Sequence, residues 1–132
     1  MLKKNRVQPL ISVILPTYNH ARFLKNAIDS VIKQDYSNWE LIIIDNYSTD
    51  HTDQVISLFK DDRIKNHKIN NHGIIAKSRN KGIQESKGDW IAFLDSDDIW
   101  YLNKLSTIIN YLNRYKKIDI VCSNEYLHNK ST

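Results

Sequence analysis

At 132 residues, 41% hydrophobic and 26% charged, the chain is long enough for one domain with a real core and shows no disorder or coiled-coil bias. Its net charge of +4 comes from scattered lysines with no basic stripe or RNA-binding signature, which argues against nucleic acid and fits anionic ligands or an acidic membrane surface. Cys122 is the only cysteine, so no internal disulfide is possible; its apolar setting, Ile118-Asp119-Ile120-Val121-Cys122, predicts a core thiol and fits a reducing compartment. Lys3, Lys4 and Arg6 before the apolar residues 10–15 imitate a signal peptide, but the apolar run is too short and Pro16 follows at once. No stretch approaches membrane-spanning length.

The first strand is expected over 11–15, a β-branched, nearly continuous apolar run stopped by Pro16, as in a strand covered on both faces. Across 21–34, Phe23, Leu24, Ala27, Ile28, Val31 and Ile32 recur at helical spacing between polar residues. Residues 39–44 repeat the buried-strand pattern and end in Asp45-Asn46-Tyr47-Ser48-Thr49-Asp50, where Ser48 and Asp50 are expected to cap a helix whose inner face is Val55, Ile56 and Phe59. A weaker strand follows near 64–69, then the turn Asn70-Asn71-His72-Gly73 and a helix over about 74–86 that Gly82 weakens. Trp90-Ile91-Ala92-Phe93-Leu94 is the next strand; Leu102, Leu105, Ile108, Ile109 and Leu112 mark a helix, and 118–122 a final strand.

The order β-α-β-α-β-α-β-α-β predicts an α/β fold with a mostly parallel sheet and flanking helices. Parallel strands deliver the loops that follow them to one edge. Pro16-Thr17-Tyr18-Asn19, Asp45-Asn46 and Asp95-Ser96-Asp97-Asp98 are therefore expected to meet there, although far apart in sequence.

The richest chemistry lies where the apolar run ending at Leu94 stops in three carboxylates within four positions. Neighbouring carboxylates repel unless a cation or donors compensate, and Mg²⁺ or Mn²⁺ takes one or two of them while keeping positions for phosphates. Asp97 is the first choice of ligand. The competing reading is that Asp95, Ser96 and Asp98 form a turn and cap the helix beginning near Tyr101. Asp45 closes a strand without another polar residue after Glu40, so it can accept hydrogen bonds from a base or ribose, or else cap a helix. Arg79 can reach phosphate or the carboxylates, or lie on a solvated helix face. The five histidines show no metal-ligand spacing and are expected mostly at the surface, and no serine or cysteine sits in a nucleophile-elbow pattern. Trp39, Trp90 and Trp100 read as core packing.

Four signatures in order carry a resemblance. They are Ser12-Val13-Ile14-Leu15-Pro16-Thr17-Tyr18-Asn19; Trp39-Glu40-Leu41-Ile42-Ile43-Ile44-Asp45 followed by Ser48-Thr49-Asp50; Ser78-Arg79-Asn80-Lys81-Gly82; and Gly88-Asp89-Trp90-Ile91-Ala92-Phe93-Leu94-Asp95-Ser96-Asp97-Asp98. Together they resemble the inverting family 2 glycosyltransferases of the GT-A fold. The resemblance implies a Rossmann-like nucleotide-diphospho-sugar transferase fold, with 1–132 as one donor-binding domain. It implies that Pro16, Thr17 and Tyr18 line the nucleoside pocket, that Asp45 and Asn46 contact base or ribose, and that Arg79 helps hold the site together. Asp95 and Ser96 would lie by the ribose or donor sugar, and Asp97, with Asp95, would bind the Mn²⁺ or Mg²⁺ bridging the diphosphate. The cation would stabilise charge on the departing diphosphate.

The partners so implied are a nucleotide-diphosphate sugar and a saccharide or lipid-linked acceptor of polysaccharide or glycoconjugate assembly, handled in the cytoplasm at the inner face of the membrane. Where many relatives have a second aspartate and then glycine, this chain has Asn46 and Tyr47, which leaves uracil, thymine or guanine open as the base. The family usually continues into an acceptor-binding half that supplies the general base; that carboxylate is expected beyond Thr132, the chain reading as a truncated form. Self-association through apolar surface that such a half would cover is a further expectation. A binding module or partner subunit without a base is the alternative class. A phosphotransfer receiver is disfavoured because its acidic pair should follow the first strand.

Overall fold

The computed structural model describes residues 8–115 and 117–126. Lys3, Lys4, Arg6 and His128 lie outside these. Within them the chain runs β1 (Ile11–Thr17), α1 (Ala21–Ile32), β2 (Trp39–Asp45), α2 (Thr52–Ser57), β3 (Ile64–Lys68), α3 (Ile75–Glu85), β4 (Trp90–Phe93) and α4 (Lys104–Arg114). The four strands form one sheet in the order β3-β2-β1-β4, every pair parallel.

Both faces of the central strands are covered, which is why β1 and β2 are apolar without alternation and buried throughout. On one face Ile11, Val13, Leu15, Leu41 and Ile43 pack with Leu24, Ala27, Ile28 and Val31 of α1 and with Leu105 and Ile109 of α4. α3 covers the other face. There Gly82, the residue that weakens the helix in isolation, is buried against Ile14: a Cβ would land on the Ile14 Cγ2 methyl. Glycine at this position lets helix and sheet approach closely, and packing overrides propensity.

β1 passes through Pro16 and ends at Thr17, two residues beyond the expected stop. The register explains this. Ile11 N–H and Thr17 C=O bond toward β2, so even-numbered residues face β4, where Leu94 N–H bonds Ile14 C=O. Pairing with β4 ends at Ile14–Phe93, so the N–H that Pro16 lacks has no strand opposite it.

The start of α4 is pinned to the end of α1 by buried Gln34, whose Oε1 accepts from Leu105 N–H at 2.9 Å and whose Nε2 donates to the Ser30 and Tyr101 carbonyls. At the opposite edge from the carboxyl ends of the strands, Glu40 Oε1 accepts from Ser12 Oγ and Lys87 N–H, both at 2.6 Å, closing the turn into β4. Gly88 donates its N–H to Ser12 Oγ, and a Cβ on it would lie 2.6 Å from Ser12 N and Oγ.

Two expectations are corrected. Residues 118–122 form no strand; they pair with nothing in the sheet, and Ile120 is 80% exposed. Cys122 is accordingly an exposed thiol, not a core one. An apolar run becomes a strand only where it pairs with a neighbour, and 118–122 does not lie along the open edge of β4.

Candidate functional site

All four parallel strands end at one edge, and the loops after them are tied into a ring. Asn46 N–H donates to the Thr17 carbonyl at 3.0 Å. Asn19 N–H donates to Ser48 Oγ at 2.9 Å, and Asn19 Oδ1 accepts from Thr49 N–H at 2.8 Å. Ser48 in turn donates both N–H and O–H to Asp45 Oδ1. Asn46 Oδ1 accepts from Asn71 N–H at 2.8 Å, and Asn71 Nδ2 donates to Ser78 Oγ on α3 at 2.9 Å. One residue along α3, Arg79 Nη2 donates to Asp95 Oδ1 at 2.8 Å. His20 Nδ1 and Ser96 Oγ, 2.7 Å apart, return the ring to the first loop. Ring closure brings together Thr17, Asp45, Asn46, Arg79, Asp95 and Ser96, drawn from five different elements and loops.

This edge also concentrates unsatisfied polar atoms. Thr17 Oγ1, Asp45 Oδ2 and Arg79 Nε are buried without a hydrogen-bond partner; of the described residues only Trp39 Nε1, at the other end of β2, shares that condition. Thr17 and Asp45 are direct register partners. Buried polar groups are ordinarily bonded, so two acceptor-capable oxygens and an N–H donor without hydrogen-bond partners set this edge apart from the rest of the described fold. The one cation near Asp45 Oδ2 is Lys68 Nζ at 3.8 Å, itself held by Asp53 at 2.6 Å. Pro16 lies within β1, and Tyr18 is 54% exposed beside Thr17.

The acidic loop does not cap α4. Asn103 holds that position, and Asp98 N–H bonds the Asp95 carbonyl in a local turn. Asp97 is exposed and makes no hydrogen bond or ion pair among the described residues. Asp98 has its pKa raised, first by burial and then by the charges of Asp97, Asp95 and Glu125, with Lys104 opposing. Among the described residues no three His, Cys, Asp or Glu side chains form a metal cage. A cation carrying a diphosphate needs only one or two protein carboxylates, and an unpartnered Asp97 within a mutually repelling trio fits that requirement. Asp95 is committed to Arg79 through one oxygen and keeps the other.

Ser48 is not a helix cap; its hydroxyl links the first two loops. Asp50 does cap, and twice: Oδ1 accepts from Thr52 N–H and Oγ1, while Oδ2 accepts from Ala21 N–H at the start of α1. Of the described histidines, His51 and His72 are exposed, while His20 and His67 are half-buried. The sequence places Asn19 at this edge with its loop but shows no role for it, nor for His20 or Asn71; the available signal for His20 is its adjacency to that post-strand loop. No described helix is long and apolar enough to cross a membrane.

Comparison with known proteins agrees with this geometry. The sequence model for glycosyl transferase family 2 matches residues 12–131. An uncharacterised glycosyltransferase of Rickettsia typhi is 35% identical over 132 residues, 98% of this chain and 41% of that protein. The Escherichia coli UDP-Glc:alpha-D-GlcNAc-diphosphoundecaprenol beta-1,3-glucosyltransferase WfgD is 42% identical over 103 residues, 78% of this chain and 41% of WfgD. Among solved structures, S. aureus TarS 1–349 in complex with UDP superposes with a TM-score of 0.76 at 28% identity, covering 80% of this chain and 32% of that one. The mannosyltransferase PcManGT of Pyrobaculum calidifontis, solved with GDP-Man and Mn²⁺, shares the fold at a TM-score of 0.70 and 24% identity. The chain thus spans about two fifths of the curated relatives' length, 41% in both cases. With the parallel sheet, the ring of post-strand loops and a match along nearly its whole length, the chain belongs to glycosyl transferase family 2 and has its GT-A fold.

Proposed function

We propose that this loop ring binds a nucleoside-diphosphate sugar together with Mn²⁺ or Mg²⁺, as the donor-binding domain of a protein that transfers the sugar, with inversion, to a glycan or lipid-linked acceptor. The observation that carries the reading is the trio of buried polar atoms without hydrogen-bond partners at the same strand edge as a carboxylate loop with a free member. Asp45 Oδ2 accepts a base N–H or a ribose hydroxyl, and Thr17 Oγ1 can donate or accept next to it. Tyr18 offers an exposed ring for the nucleoside, with Pro16 and Asn46 beside it. Arg79 fixes Asp95 while its open Nε–H remains a donor, and Ser96 orders the turn that presents Asp97. Asp97, with the free oxygen of Asp95, would hold the cation; when bound, that cation offsets charge on the departing diphosphate.

Uridine diphosphate is the nucleotide to test first, because the WfgD name specifies UDP-Glc and TarS was solved with UDP and with UDP-GlcNAc. A lipid-linked acceptor follows the WfgD name, and the net charge of +4 suits work at an acidic membrane surface on the cytoplasmic side. The test is calorimetric titration of UDP with and without Mn²⁺. Mn²⁺ should tighten UDP binding to the wild-type chain, and Asp97→Asn should lose most of that gain. Equal enhancement in both proteins would remove Asp97 from the site.

A further inference from the structure

The ring of loops closes through one pair, and that pair touches the acidic loop at its centre. We propose that His20 is a positioning residue for this loop: by holding the Ser96 hydroxyl it sets where Asp97 presents its carboxylate to a cation-bound diphosphate. The inference rests on the donor-site reading above and adds a residue to it.

Three observations carry it. Ser96 is only 5% exposed and lies between Asp95 and Asp97, so anchoring its Oγ at 2.7 Å anchors the backbone from which both carboxylates project. Asp95 has a second anchor in Arg79, whereas Asp97 has no side-chain partner among the described residues and takes its position from the backbone alone. His20, for its part, is fixed at the N-terminus of α1. Its carbonyl accepts from Phe23 and Leu24 N–H at 2.9 and 3.0 Å, and its ring meets Phe23 edge-on with centroids 5.9 Å apart.

Among the described residues it makes the one side-chain hydrogen bond from the first loop to the acidic loop. Without it the Ser96 hydroxyl would be a buried group in search of a partner, and the turn would relax to supply one. Side chains that orient metal ligands from behind typically govern metal affinity by a factor of ten or more.

The test uses the ratio of UDP affinities with and without Mn²⁺, measured by calorimetry on the whole chain. His20→Leu and Ser96→Ala should each lower that ratio by about tenfold, and the double variant should fall no further than either. His20→Asn, whose amide can occupy the place of Nδ1, should restore it. Should His20→Leu fail to fold, as judged by circular dichroism, Ser96→Ala carries the comparison. An unchanged ratio, even with weaker binding throughout, would leave His20 a purely structural residue and overturn the proposal; so would losses that add in the double variant. A wild-type ratio near one overturns the metal reading itself, which the variants do not enter.

Discussion

Tyr47 stands at φ +50°, in the left-handed region, with its ring 59% exposed. A non-glycine residue held there carries strain of about 1–3 kcal/mol, relieved by glycine but offset by the larger entropy glycine loses on folding, about 0.5–1 kcal/mol. Tyr47→Gly is therefore expected to leave stability unchanged or raise it by up to about 2 kcal/mol, while β-branched Tyr47→Val lowers it by about 1–2 kcal/mol. Urea unfolding of the two variants checks this, and a strongly destabilised glycine variant would show that the ring packs. Asn46-Tyr47 stood out in the sequence as a departure from the family pattern. Its backbone conformation did not, because the left-handed residue sits between Asp45 and Ser48, whose bonds to each other and to Asn19 join loops distant in sequence. Asp45 likewise showed its type and place in sequence, but not that one oxygen is consumed by Ser48 and the other left open.

Among the elements, α1 and α2 begin without side-chain caps from the residues just before them, His20 and His51. Asp50 serves both. Asp50→Ala should cost about 1–2 kcal/mol, the usual value of a lost cap, measured by chemical unfolding. The same residue contributes to acid sensitivity. Its carboxyl is held below the ordinary range chiefly by the Thr52 hydrogen bond, and that of Asp61 by Arg63. A depressed carboxylate stabilises the fold above its unfolded value, near 3.9, and loses that contribution as pH falls through the lower folded value. The unfolding midpoint should fall with pH below about 4, and Asp50→Asn should blunt the slope. The apolar runs at 11–15 and 39–44 announced their strands, since a strand buried on both faces needs no alternation. The run at 118–122 is similarly apolar and forms no strand, because pairing is decided by what lies alongside.

At the scale of the molecule, the sheet holds four loops against one another, and each loop is bonded to the next. A ligand spanning them binds only the folded chain. UDP with Mn²⁺ at about a hundred times its dissociation constant should therefore stabilise the protein by about 2.7 kcal/mol and shift a single thermal transition upward. A shift confined to part of a split transition would show that the loops respond separately.

The sequence by itself determined the α/β fold class, the four strands that pair in parallel and the family signatures, because hydrophobic periodicity and turn residues are local properties, while the order of the strands in the sheet came from the structure. It also determined which residue types reach the carboxyl edge. Only the tertiary structure decided how those residues are used: that Asp95 is paired with Arg79, that Ser96 is held by His20, and that Asp45, Thr17 and Arg79 keep open atoms. The reason is physical. A hydrogen bond such as that between His20 and Ser96, 76 positions apart, follows from the close approach of loops, and no local pattern encodes that distance.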